Sequence, residues 1–193
     1  MQLIFATNNK HKLEEISALL KGYAHVKGLK EIGIHEEIPE NCDTLEGNAV
    51  EKAMYIFSKY GYNCFADDTG LEIEALNGRP GVYSARYAGT GCSFDDNVNK
   101  ILAELGNEKN RRAKFRTVIA MVENGQVKTF EGEVHGIIIE EKKGSDGFGY
   151  DPVFVPDGYE ITFAEMSLDI KNKISHRAMA MQKFVRYLQN HTK

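Results

Sequence analysis

The sequence predicts an α/β fold built on a long mixed β-sheet flanked by helices. Three observations lead to it. Short apolar runs of strand length alternate with stretches whose apolar residues recur at helical spacing. An Asn124-Gly125 pair separates two long strand-like runs and marks a β-hairpin, so the sheet has antiparallel as well as parallel neighbours. The 193 residues contain no repeat, low-complexity tract or proline-rich linker, and the elements therefore belong to one domain over residues 1–193, with room for two small lobes.

Residues 3–6 are apolar and are broken by the polar TNNKHK at 7–12, after which Leu13, Ile16, Leu19 and Leu20 recur at helical spacing. A strand, a polar loop and a helix follow from this order. Open backbone N–H groups at such a helix start favour an anion, and Lys10 and Lys12 add positive charge beside them. Taken alone, the pattern fits an ordinary capped helix with solvated lysines equally well. A second helix is expected from about Thr44 to Tyr60, where Leu45, Ala49, Ala53, Ile56 and Tyr60 form an apolar stripe. Asn48 and Lys52, four residues apart, share one face beside it. They either reach into a site or belong to a solvated surface.

NCFA at 63–66 reads as a strand that ends in Asp67 and Asp68, with a turn after them. Adjacent carboxylates repel, and a divalent cation is the simplest way to offset that repulsion. LEIEAL at 71–76 alternates like a half-buried strand, and NGRPG at 77–81 is turn-rich. Ser93 opens a capping pattern before Val98, Ile101, Leu102 and Leu105, and Gly106 closes that helix. GSDGFGYDPVFVP at 144–156 gathers glycines and aromatics around Asp146 and Asp151, which suits a loop that approaches a flat ligand or a plain turn between strands. In the last segment Ser175 is placed as an N-cap, His176 and Arg177 in the first turn, and Met181, Phe184, Val185 and Leu188 on an apolar face. Cations oppose the dipole at a helix N-terminus, so this pair suits a bound ligand.

A net charge of −4 excludes a general nucleic-acid binder, whose affinity needs a concentrated basic face. The apolar runs fall short of the roughly 20 residues of a membrane span, and no secretory segment is visible, so a cytoplasmic protein with no membrane association is expected. Three cysteines without a CxxC pair suggest reduced thiols rather than a disulfide framework or zinc site. A phosphate-friendly loop, a carboxylate pair and late hydrogen-bond donors together point to a nucleotide with magnesium.

The segments FATNNKHK, NAVEKA, FADDTGLEIEALNGRPGVYSARYAG, GFGYDPVF, TFAEMS and KISHRAMA, in this order over nearly the whole chain, resemble the inosine triphosphate pyrophosphatase family. The resemblance implies two lobes with a nucleotide-binding cleft between them. It also implies Mg²⁺-dependent hydrolysis of noncanonical purine nucleoside triphosphates (ITP, dITP, XTP) to monophosphate and pyrophosphate, cleansing the nucleotide pool. Thr7, Asn9, Lys12 and Lys10 would hold phosphates, and Lys52 would reach the phosphate chain. Asn8 stands where the family usually has glycine, and asparagine tolerates left-handed backbone better than most residues. Asp68 would be general base and metal ligand, supported by Asp67, with Glu37, or Glu36 one residue before it, as a second metal carboxylate. Thr69 stands where the family often has serine and keeps a hydroxyl. Phe148, Gly149, Tyr150 and Asp151 match the base-stacking loop, and Lys171, His176 and Arg177 the residues that read the purine edge. A homodimer is expected, acting on a small-molecule nucleoside triphosphate. The alternatives are a related pyrophosphatase for modified pyrimidine triphosphates and a nucleotide sensor that does not hydrolyse.

Overall fold

The computed structural model of the chain describes residues 2–191. Its strands are β1 (Gln2–Phe5), β2 (His25–Gly28), β3 (Cys64–Ile73), β4 (Pro80–Gly81), β5 (Arg112–Glu123), β6 (Gln126–Ile138) and β7 (Phe154–Pro156). Its α-helices are α1 (Lys10–Leu19), α2 (Leu45–Tyr60), α3 (Phe94–Leu105), α4 (Leu168–Ile174) and α5 (His176–His191). The strand order is β2-β1-β3-β5-β6-β7, with β4 paired to β3. Parallel pairing of β1 with β2 and β3, and antiparallel pairing of β3 with β4 and of β6 with β7, make the sheet mixed, as the hairpin required. At the hairpin turn Asn124 and Gly125 have φ of 50° and 78°, the left-handed pair that matches the twist of two long strands. No helix among the described residues is long and apolar enough to cross a membrane.

The chain divides into two compact units. The first comprises the described residues up to Asp68, Thr117–Gly132 and the described residues from Arg177 on. Its core joins Phe5 and Phe65, stacked at 4.7 Å, to Phe184, with Ile16 and Leu20 of α1 and Met181 and Leu188 of α5. These are the apolar stripes that the spacing predicts. Asn9 caps α1 by accepting from the Lys12 N–H at 3.2 Å, and Thr44 caps α2 by accepting from Gly47 at 3.0 Å. Both caps satisfy amides that a helix start leaves open.

The second unit comprises Thr69–Arg116 and Glu133–His176. Leu71, Ile73, Val98, Ile101, Phe115, Ile138, Phe154 and Phe163 form its core, with the Phe115 ring edge-on to Phe154 at 4.7 Å. Ser93 and Asp96 close the predicted capping box at the start of α3, and Gly106 ends it.

Three details differ from the sequence reading. FADDTG does not end a strand: Asp67, Asp68, Thr69 and Gly70 all lie inside the ten residues of β3. The parallel partner β1 stops at Phe5 opposite Phe65, but the charges of the two aspartates are met by cations, so the chain has no need to turn away. Residues 74–76 are a single 3₁₀ turn rather than the end of a strand. Finally, α4 is a helix in its own right, capped by Ser167, and the Ser175 N–H closes it on Lys171 O at 2.9 Å immediately before α5 begins.

Gly136 in β6 faces the β7 backbone so closely that a Cβ there would lie 2.2 Å from Val155 O and 2.7 Å from the Phe154 ring. Gly136→Ala must displace backbone, and we expect a loss of about 1–3 kcal/mol in urea unfolding; an unchanged midpoint would contradict the close approach.

Candidate active site

In the first unit, successive residues of β3 project to opposite faces, which gives Asp67 and Asp68 different surroundings. Both are buried. Asp67 meets Lys12 Nζ at 2.9 Å and Arg177 Nε at 3.4 Å, and the same guanidinium donates through Nη1 to Glu15. Burial opposes a charge on Asp67, but Lys12, Arg177 and Lys52 more than offset it and hold the carboxyl far below the usual range. At Asp68 the balance tips the other way. Burial raises its pKa, Lys52 and Lys12 offset that only in part, and Glu40 adds to the rise.

Lys52 arrives from α2, with Nζ 3.6 Å from Asp68 Oδ1 and 2.5 Å from Glu40 Oε1. Burial alone would lower its pKa; Asp68, Glu40 and Asp67 together keep it above the ordinary lysine value. Asn48, one turn earlier and fully buried, donates from Nδ2 to Asp68 Oδ2 at 3.1 Å. The loop before α1 is held by the Asn9 N–H, which donates to Thr7 Oγ1 at 3.2 Å, while Asn8 Nδ2 donates to Glu36 O at 3.1 Å. Here two neighbouring carboxylates are set apart in basicity beside two ammonium groups and a helix N-terminus. That set can bind a polyanion and take a proton.

In the second unit the glycine-rich loop folds around Asp151. Its Oδ2 accepts from the Phe148 N–H at 2.8 Å and from Lys171 Nζ at 2.7 Å. Gly147 has φ of 76°, and a Cβ there would lie 2.2 Å from that oxygen, so glycine is required. Lys171 Nζ lies 5.3 Å from the centre of the half-buried Phe148 ring. Tyr150 is buried in the core and donates to Ser84 O at 2.8 Å, which anchors the loop. His176 is buried with its ring stacked on Phe115 at 4.6 Å.

The structure thus gathers Lys12, Lys52, Asp67, Asp68 and Arg177 in the first unit, and Phe148, Asp151 and Lys171 in the second. Lys10 and Glu37 are exposed, Thr69 and Gly149 are half-buried, and Glu36 is held by Lys59 Nζ at 2.7 Å and Tyr60 OH at 2.6 Å. Glu15 and Glu40 escaped the sequence reading. Glu15 carried a faint signal, an acid next to Ile16 and one turn from Lys12. Glu40 is one of three acids in HEEIPE, and nothing in the residue types selects it.

A sequence model of the Ham1 family matches residues 3–187. A Porphyromonas gingivalis protein described as a dITP/XTP pyrophosphatase is 54% identical over 181 residues, 93% of each chain. A Flavobacterium psychrophilum protein of the same description is 50% identical over 190 residues, covering 98% of this chain and all of its own. The solved structure of a HAM1 protein from Coxiella burnetii superposes with a TM-score of 0.90 at 34% identity, over 98% of this chain and 99% of that one.

The depressed pKa of Asp67 has a consequence for acid stability. A carboxyl whose folded pKa lies below its unfolded value of about 3.9 stabilises the fold above that pH, and the contribution is lost as pH falls toward the folded value. Asp67→Asn should remove this part of the acid dependence and cost about 3–5 kcal/mol at neutral pH, because Lys12 and Arg177 lose a buried partner. Urea unfolding of both proteins between neutral and acid pH measures it, and identical pH slopes would contradict the ion pairs.

Proposed function

The chain belongs to the Ham1 family, and on that premise we propose that it hydrolyses deaminated purine nucleoside triphosphates, dITP, ITP and XTP, to the monophosphate and pyrophosphate. It is a nucleoside triphosphate pyrophosphatase. The observation that carries the residue assignments is the divergence of Asp67 and Asp68, one pinned as an anion between cations and the other made more basic by burial.

The roles follow from that divergence. Lys12 and Lys52 offset the charge of the triphosphate, while Thr7, Asn8, Asn9 and the amides at the start of α1 receive its oxygens, with Lys10 at the rim. Asp68 accepts the proton of the water that attacks the α-phosphorus, and its raised pKa makes it a stronger base than an exposed carboxylate. Asp67 stays ionised and fixes the Lys12 ammonium in place. Glu40 and Asp68 share Lys52, and their hard oxygens suit magnesium, which is commonly held by one or two carboxylates plus substrate phosphates. We assign the second metal carboxylate to Glu40 ahead of Glu37 because Glu40 meets the lysine that serves Asp68. When bound, the ion neutralises phosphate oxygens and the leaving pyrophosphate.

For the base, Phe148 offers a ring face, with Gly149 beside it, and Asp151 and Lys171 set the shape of the loop. His176 supplies a donor toward the 6-oxo edge that a 6-amino group would leave mispaired. The Arg177 guanidinium, engaged by Asp67 and Glu15, serves the site by keeping Asp67 charged. The working form we assign is a cytoplasmic homodimer.

The purified protein should release pyrophosphate from dITP, ITP and XTP with magnesium, and far more slowly from ATP, GTP and TTP. Release mainly from TTP would overturn the base assignment. Asp68→Asn should lower kcat by roughly a hundredfold to ten-thousandfold while nucleotide binding persists, and chelation should abolish turnover until Mg²⁺ is restored. An Asp68→Asn enzyme near wild-type rate would remove Asp68 from the role of base.

A further inference from the structure

The loop before α2 runs back along that helix and is tied to it at successive points. The Asn41 N–H donates to Glu51 Oε2 at 2.7 Å and Asn41 Nδ2 to Glu51 Oε1 at 3.0 Å, so both carboxylate oxygens grip one residue. The Cys42 N–H donates to Asn48 Oδ1 at 2.9 Å. Glu40, next in the loop, reaches Lys52. Packing reinforces the contact: a Cβ on Gly47 would lie 2.6 Å from Cys42 Cβ, so the loop rests on the bare backbone of the first turn of α2.

Asn48 is the centre of this arrangement. It is fully buried, and both ends of its amide are used: the oxygen by the Cys42 N–H, the nitrogen by Asp68 Oδ2. The Cys42 donor fixes which end is oxygen, because an amide turned over would set N–H against N–H. The NH₂ group must then face Asp68. One side chain therefore joins the carboxylate on β3 to the loop that carries Glu40, and Glu51, three residues on and on the same side of α2, holds that loop from outside.

We propose that Asn48 and Glu51 are positioning residues: Glu51 clamps the Glu40 loop to α2, and Asn48 ties that loop to Asp68, so that the two carboxylates keep a fixed mutual geometry. The inference rests on the reading above, in which Asp68 and Glu40 work at the reacting phosphate. Neither residue touches substrate in this scheme. Their effect belongs mainly in kcat, because a displacement of about 1 Å in a reacting group can cost on the order of a hundredfold in rate, while of the phosphate and base contacts that set KM only Lys52 touches these carboxylates.

The test uses Glu51→Ala and Asn48→Leu, the latter similar in volume but unable to make either bond. Initial rates with dITP at saturating Mg²⁺, corrected for the folded fraction, should give kcat about tenfold lower for Glu51→Ala and on the order of a hundredfold lower for Asn48→Leu, with KM within about threefold of wild type. Hydrogen–deuterium exchange of the protein alone, without metal or nucleotide, should show the Asn41 amide exchanging at least about tenfold faster in Glu51→Ala and the Cys42 amide in Asn48→Leu, because each has lost its acceptor. If Asn48→Leu fails to fold, Glu51→Ala, which alters a surface clamp, still decides the matter. Unchanged kcat in a folded variant, a loss confined to KM, or unchanged exchange at residues 41 and 42 would each overturn the proposal. Wild-type protein that releases no pyrophosphate would sink the functional reading instead, and the exchange measurement would still decide whether the tie exists.

Discussion

Two adjacent carboxylates buried in the middle of a strand are the constraint on which the rest of the first unit depends. A single buried charge is costly, and two in succession would break the strand unless each met a partner. The chain answers with cations from three directions: Lys12 at the start of α1, Lys52 from the middle of α2, and Arg177 at the start of α5. Each of those helices must then sit where its cation can reach, and the aromatic stack of Phe5, Phe65 and Phe184 holds the sheet and α5 at that distance. The same arrangement leaves the two aspartates unequal. Burial opposes ionisation at both, but three cations outweigh it at Asp67, whereas at Asp68 Lys52 and Lys12 offset it only in part and Glu40 adds to it.

Much of this was legible in the sequence, for identifiable reasons. Apolar periodicity is a local signal, and it located α1, α2, α3 and α5; the Asn124-Gly125 turn located the long hairpin because few other pairs accept two left-handed residues in succession. The misread strand end at Asp67 has a physical cause as well. Local propensity sees two repelling acids, and only tertiary structure supplies the lysines that let the strand continue. Glu40 illustrates the other limit. Which acid of a short run reaches a lysine depends on how the loop lies against α2, where Glu51 and Asn48 bond to it; spacing set Asn48 beside Lys52 but gave no sign of its bond to the loop. Arg177 was legible as a residue of the site, but the carboxylates it meets, Glu15 and Asp67, were not, because they are far from it in sequence.

The two units carry different physics. The first uses charge: ammonium groups, carboxylates and a helix start, all suited to phosphates and a hard cation. The second uses shape, with glycines that let a backbone fold tightly around one carboxylate and buried rings stacked on one another.

That glycine-rich loop also bears on the energetics of recognition. Asp151 is already bonded to the Phe148 amide and to Lys171, and Tyr150 is rooted in the core through Ser84. The conformational entropy of the loop is therefore surrendered during folding, before any ligand is met. A preorganised loop of this kind subtracts little from the intrinsic affinity and need not slow association. In the base site proposed above, selectivity would then come from the contacts available once the base is seated, a difference between bound states, and not from whether the ligand can induce the loop to form.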